Sequence, residues 1–113
     1  MDNDDLTIYN VIQVCSKARL EDGTLCFDAY GTNDIRGKTL LFLESKGILI
    51  EEAEKIINSL TINDFVEGPV DNYIAERKHK LWIFIKKYKS IKIYIKLLIY
   101  NKRRNVAVIS MHD

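Results

Sequence analysis

The stretch Leu81-Trp82-Ile83-Phe84-Ile85-Lys86-Lys87-Tyr88-Lys89-Ser90-Ile91-Lys92-Ile93-Tyr94-Ile95-Lys96-Leu97-Leu98-Ile99-Tyr100 decides the fold class. It is rich in β-branched and aromatic residues, and over much of its length apolar and polar residues alternate with period two. Successive side chains of a strand point to opposite faces, so Lys92, Tyr94 and Lys96 share one face and Ile93 and Ile95 the other. The same rule groups Trp82, Phe84 and Lys86. Lys89-Ser90 reads as a short connection between strands over residues 81–87 and 91–100. Asn101-Lys102-Arg103-Arg104-Asn105 is a polar turn, and Val106-Ala107-Val108-Ile109-Ser110 is a further strand. Residues from about 80 to 112 therefore read as a three-stranded antiparallel meander.

Upstream the period is that of a helix. Leu6, Ile8, Tyr9, Val11, Ile12, Val14, Cys15 and Ala18 recur every three or four positions, the stripe of an amphipathic first helix, with Asp4 or Asp5 as its N-cap. Residues 24–30 fit a short strand, and Gly31-Thr32-Asn33-Asp34 a loop. A second helix is predicted over residues 35–45, ending at Lys46-Gly47 with glycine where the left-handed residue after a helix belongs. A third is predicted over residues 51–59. Glu51, Glu52 and Glu54 suit the positive end of its dipole, and Ala53, Ile56, Ile57 and Leu60 form its buried face. Thr61-Ile62-Asn63-Asp64-Phe65 reads as a turn or 3₁₀ segment before Gly68-Pro69, which ends any helix. The whole pattern, mainly helical over about 4–60 and strands over about 80–112, predicts one α+β domain: N-terminal helices packed on one face of a C-terminal antiparallel sheet.

The 113 residues suffice for one core, and 47 % hydrophobic with 29 % charged residues is a globular composition. No stretch approaches the roughly 20 apolar residues of a membrane span. The acidic Met1-Asp2-Asn3-Asp4-Asp5 lacks the apolar run of a secretory signal, so a soluble cytoplasmic protein with no membrane association is expected. Cys15 and Cys26 have no metal-ligand spacing and read as two buried small hydrophobes in a reducing compartment. The net charge of +1 averages two opposite halves: residues 1–70 carry 13 Asp+Glu against 6 Lys+Arg, residues 71–113 carry 3 against 11. Such asymmetry points to an anionic partner for the C-terminal half.

Lysine neutralises phosphate, and aromatic rings are platforms for unstacked bases. The face carrying Lys92, Tyr94 and Lys96, with Trp82 and Lys86 on the neighbouring strand, therefore reads as an RNA-contacting surface. The alternative is a solvated face whose lysines guard an edge strand against aggregation. His112, beside Ser110 at the end of the last strand, has the chemistry of a general acid or base near neutral pH, the alternative being a terminal histidine without a role. His79, in Arg77-Lys78-His79-Lys80, reads as solvated. No metal-ligand cluster, phosphate-cradling glycine loop or Ser-His-Asp order occurs in the sequence, so any catalysis is expected to proceed without metal or cofactor.

The run Leu60-Thr61-Ile62-Asn63-Asp64-Phe65-Val66-Glu67-Gly68-Pro69, followed by Leu81-Trp82-Ile83-Phe84, Ile93-Tyr94-Ile95-Lys96-Leu97 and Ile109-Ser110-Met111-His112, resembles the MqsR (motility quorum-sensing regulator) family. These are toxins of bacterial type II toxin–antitoxin modules, and the resemblance covers about residues 59–112. It implies a RelE-like α+β fold and a metal-independent endoribonuclease (an mRNA interferase). It further implies cleavage of mRNA by 2′-hydroxyl attack on the adjacent phosphate, and a cognate antitoxin protein as partner. Tyr94 and Lys96 match the family's Tyr-x-Lys strand. The resemblance implies that Lys96 stabilises the transition state and that Tyr94 positions the phosphate or transfers a proton. His112 matches the final Ser-x-His position, where the well-known member has lysine, and is implied as acid or base. Lys86 is implied as a second phosphate contact. The chain departs from the family at Glu67 and Ile83, where the well-known member has a functional lysine and a glutamine. The competing reading is a non-catalytic nucleic-acid binder. Residues 40–60 then form a helix-turn-helix and residues 86–96 a basic wing, as in winged-helix DNA binders. Glu51, Glu52 and Glu54 oppose it, because a recognition helix presents its N-terminal end to phosphates and bases.

Overall fold

A computed structural model of the chain describes residues 6–27, 33–70, 80–100 and 105–113, with side chains from residue 38 onward in the second helix. Expectations for Asp4 and Asp5, residues 28–32, the loop over 71–79 with His79, and the turn over 101–104 lie outside the described residues. The elements run α1 (Ile8–Lys17), β1 (Leu25–Phe27), α2 (Asn33–Ser45), α3 (Ile50–Asn58), a 3₁₀ turn (Ile62–Asp64), β2 (Phe65–Val70), β3 (Leu81–Tyr88), β4 (Ile91–Tyr100) and β5 (Asn105–His112). Among the described residues this is an α+β fold of three helices and one mixed five-stranded sheet, ordered β1-β5-β4-β3-β2. The meander of β3, β4 and β5 is its centre, as the alternation predicts. Two strands extend it: β1 joins β5 in parallel, and β2 joins β3 antiparallel with two register shifts.

Local chemistry sets the helix ends. Thr7 caps α1: its Oγ1 accepts the Asn10 N–H at 3.2 Å, while Asn10 Oδ1 accepts the Thr7 N–H at 3.1 Å, two otherwise unpartnered donors satisfied reciprocally. The cap therefore lies two or three residues later than the sequence pattern implies. At the end of α2, Gly47 takes a positive φ of 69°, and the Ile48 N–H reaches back to the Leu43 carbonyl at 2.9 Å, the six-to-one bond of a glycine-terminated helix. α3 is tied to α1 by Asn58, whose Nδ2 donates to the Cys15 and Ala18 carbonyls at 2.8 and 2.9 Å. These are helix-end acceptors, which also take the Ala18 N–H and the Arg19 guanidinium.

The helices cover one sheet face. Val11, Val14, Cys15, Leu43, Ala53, Ile56 and Ile57 meet Trp82, Phe84, Ile93, Ile95, Leu97, Val106, Val108 and Met111 in one buried cluster. Fully burying such a side chain contributes roughly 1.5–3 kcal/mol, so this face dominates stability. Burial pushes the Cys15 thiol up to about 12, which keeps it protonated and makes it one more small hydrophobe. Cys26 is half-buried, and the two cysteines are not joined in a disulfide. A smaller cluster of Leu81, Leu98 and Ala107 occupies one end of the opposite face. No helix among the described residues is long and apolar enough to cross a membrane.

Candidate active site on the open sheet face

The β3–β4 hairpin sorts its lysines by face. Lys89 and Ser90 both have positive φ, 49° and 70°, the conformation of the two-residue turn whose twist matches that of paired strands. From it the register runs Tyr88↔Ile91, Lys87↔Lys92, Lys86↔Ile93, Ile85↔Tyr94, Phe84↔Ile95, Ile83↔Lys96 and Trp82↔Leu97. Cross-strand partners share a face. Ile93, Ile95 and Leu97 are buried under the helices, so Trp82, Phe84 and Lys86 lie on that side. Lys87, Lys92, Tyr94 and Lys96 lie on the other.

Trp82 and Lys86 are thus separated from the stripe the sequence groups them with. Trp82 is 2 % exposed, and its ring packs against Phe65 of β2 with centroids 6.2 Å apart, leaving no platform for a base. Lys86 Nζ lies 3.4 Å from the Asp64 carboxylate and donates to the Ser59 carbonyl at 3.3 Å. Its stem runs along the core edge while its charge is held at the 3₁₀ turn. Lys89, also helix-facing, meets Glu52 of α3 at 3.1 Å. Glu52 additionally accepts the Leu49 N–H and the Tyr88 hydroxyl. The Leu49 amide, the Tyr88 hydroxyl and the Lys89 ammonium together lower its carboxyl to about 2. One acidic residue at the start of α3 is therefore committed to the hairpin. The lysines of the open face differ: among the described residues, Lys87, Lys92 and Lys96 form no ion pair.

β5 completes the open face through an irregularity that strict alternation does not contain. Val106 and Val108 are buried on the helix side, and counting by twos would send Ser110 and His112 there as well. Instead Leu97 pairs with Val108 and Lys96 with Ser110, so Ile109 is an extra residue in β5. Such a bulge shifts the alternation by one. Met111 drops into the core, and Ser110 and His112 emerge beside Lys96 and Tyr94. Two rows result. One runs Glu67, Ile83, Lys96, Ser110 across four strands; the other runs Ile85, Tyr94, His112. Lys96 sits between two paired strands, so the edge-guard reading does not apply to it.

The Tyr94 and His112 rings stack nearly parallel, with centroids 5.5 Å apart and planes at 4°, within the range of favourable offset stacking. His112 Nδ1 lies 3.3 Å from the Asp113 carbonyl oxygen. A carbonyl only accepts, so this hydrogen bond requires the proton on Nδ1 and leaves Nε2 for other work. The end of β5 is anchored from α2. Buried Thr39 accepts the Met111 N–H at 3.3 Å, and Lys46 pairs with Asp113 at 3.0 Å. Ile83, Tyr94, Ile95, Lys96, Ser110 and His112 line a hollow of about 80 Å³.

Tyr94, Lys96 and His112, singled out in the sequence, are therefore adjacent, and Lys92 continues their face. Trp82 and Lys86 are not part of it. Ser110 as a lining residue and Lys87 as a neighbour of Lys92 emerge from the register alone. No protein-family model, curated protein or solved structure matches the chain.

Proposed function

We propose that this chain is a metal-independent endoribonuclease, the toxin of a bacterial toxin–antitoxin module, acting on mRNA in the cytoplasm and held in check by an antitoxin protein. The observation that carries the reading is the meeting of Tyr94, Lys96, Ser110 and His112 around one small hollow on the sheet face turned away from the helices. The MqsR-like order of motifs supports the same activity.

The chemistry needs three things from the protein. The ribose 2′-oxygen attacks the adjacent phosphorus, the bond from phosphorus to the 5′-oxygen breaks, and a 2′,3′-cyclic phosphate is left. One proton leaves the 2′-hydroxyl and one reaches the departing 5′-oxygen. The crowded phosphorane carries extra negative charge, which the Lys96 ammonium stabilises. The Tyr94 hydroxyl donates to a phosphate oxygen and orients it. His112, with its ring held by the Tyr94 stack, presents Nε2 for proton transfer. Trp82 and Lys86 support the sheet from behind.

Expression in a bacterial host tests the reading. Growth arrest is expected from the native chain and its relief from Tyr94→Phe or Lys96→Ala, with unchanged circular dichroism. Two fully toxic variants would show the site to be elsewhere. RNA that is retained but left intact would favour a non-catalytic binder.

A further inference from the structure

The open face carries more charge than one scissile phosphate needs. Lys87 and Lys92 sit directly opposite each other near the hairpin tip, both exposed, one row beyond Ile85 and Tyr94. Like charges directly opposite are unfavourable in a sheet. Of the other three lysines of the hairpin, Lys96 lies in the site, and Lys86 and Lys89 each meet a carboxylate, Asp64 and Glu52; Lys87 and Lys92 meet none among the described residues. The same hairpin thus pairs its helix-facing lysines with carboxylates, while its exposed open-face pair has none among the described residues.

Geometry favours a linear polyanion. The pairing of β2 with β3 starts at Phe65↔Phe84 and that of β5 with β4 ends at His112↔Tyr94, so the tip stands clear of both neighbouring strands. Lys92, Tyr94 and Lys96 follow one another along one face of β4, and Lys92 and Lys96 are about 13 Å apart at the usual rise per residue. A cation pair and a further cation in line match the phosphate backbone of a single strand.

We propose that Lys87 and Lys92 form a second phosphate subsite, which binds a backbone phosphate of single-stranded RNA away from the one cut at Lys96 and so sets the register of the substrate. This rests on the ribonuclease reading for its substrate class. The subsite itself is tested by binding alone. A 2′-O-methyl RNA oligonucleotide lacks the attacking hydroxyl, so it binds without being cut. Its affinity for the native chain and for the Lys87→Gln/Lys92→Gln double variant is measured between about 50 and 200 mM salt. Loss of one phosphate contact makes the slope of log affinity against log salt shallower by about 0.7. A neutral methylphosphonate placed at successive positions should weaken native binding at one site other than the scissile one, and that penalty should vanish in the double variant. If the native chain binds but slope and penalties are unchanged in the variant, the subsite is refuted while the ribonuclease reading stands. If the native chain binds no RNA, both fall.

Discussion

Replacing Thr39 by valine should loosen the C-terminal end of β5 without opening a hole in the core. Thr39 is 2 % exposed, and its Oγ1 accepts the Met111 N–H at 3.3 Å. β1 ends opposite Val108, so among the described residues no strand lies beside Met111 on that side, and α2 supplies an acceptor. Valine keeps the volume and removes the oxygen. A buried donor left unsatisfied costs about 1–3 kcal/mol. The long 3.3 Å contact sets the expectation at the lower end, about 1 kcal/mol, or roughly 4 °C in Tm for a domain of this size. Urea unfolding followed by fluorescence of the single tryptophan, Trp82, measures the change as a lower midpoint at constant slope. Hydrogen exchange should accelerate at the Met111 amide in Thr39→Val and stay slow in Thr39→Ser, which retains the acceptor. Because Met111 lies between Ser110 and His112, RNA cleavage should fall in the valine variant and recover in the serine one. A valine variant within about 0.5 kcal/mol of native, the range of an ordinary surface change, with unaltered Met111 exchange would refute the anchoring role.

Gly68→Ala should destabilise by about 2–4 kcal/mol in the same unfolding assay, because Gly68 has φ +152° and a Cβ there would lie 2.9 Å from Trp82 Cε3 and 3.1 Å from the Leu81 carbonyl oxygen. Glu52→Gln should weaken the link between α3 and the hairpin in a pH-dependent way. The folded carboxyl sits near 2 against an ordinary 4.5, so the ionised group stabilises the fold above about pH 4.5 and that contribution is lost as pH falls toward 2. Unfolding midpoints measured at successive pH values should differ between native and variant at neutral pH and converge below about pH 2. The lysines should separate by face: Lys86→Ala loses about 1–3 kcal/mol of stability, from its packed stem and its bonds to Asp64 and Ser59, with cleavage retained in the folded protein, whereas Lys96→Ala keeps stability and loses cleavage.

Most of the sheet is written in the period-two pattern from Leu81 to Tyr100, because a strand covered on one face must alternate. The tight turn at Lys89-Ser90 follows from the short interval between two such runs. β2 was not legible as a strand, because Gly68 and Pro69 break the pattern; a strand pairing on one side only tolerates proline where an interior one does not, and two register shifts absorb the misfit. Alternation also grouped Trp82, Phe84 and Lys86 correctly but left open which face the helices cover. The lysine pointed outward by its charge, whereas its stem borders the core and its ammonium finds Asp64. Within the site, Tyr94 and Lys96 were readable from one strand. Their meeting with Ser110 and His112 depends on the bulge at Ile109, which no periodicity in β5 announces.

Cleavage of a defined single-stranded RNA by the purified chain in the presence of EDTA, with the product ends identified by mass spectrometry, tests the central claim most directly. The account predicts products ending in a 2′,3′-cyclic phosphate and a 5′-hydroxyl. It also predicts a fall in kcat of about 10²–10³ for Lys96→Ala and about 10²–10⁴ for a His112→Ala variant, both still folded. Intact RNA after incubation with the folded native chain, or native rates in both variants, would contradict it.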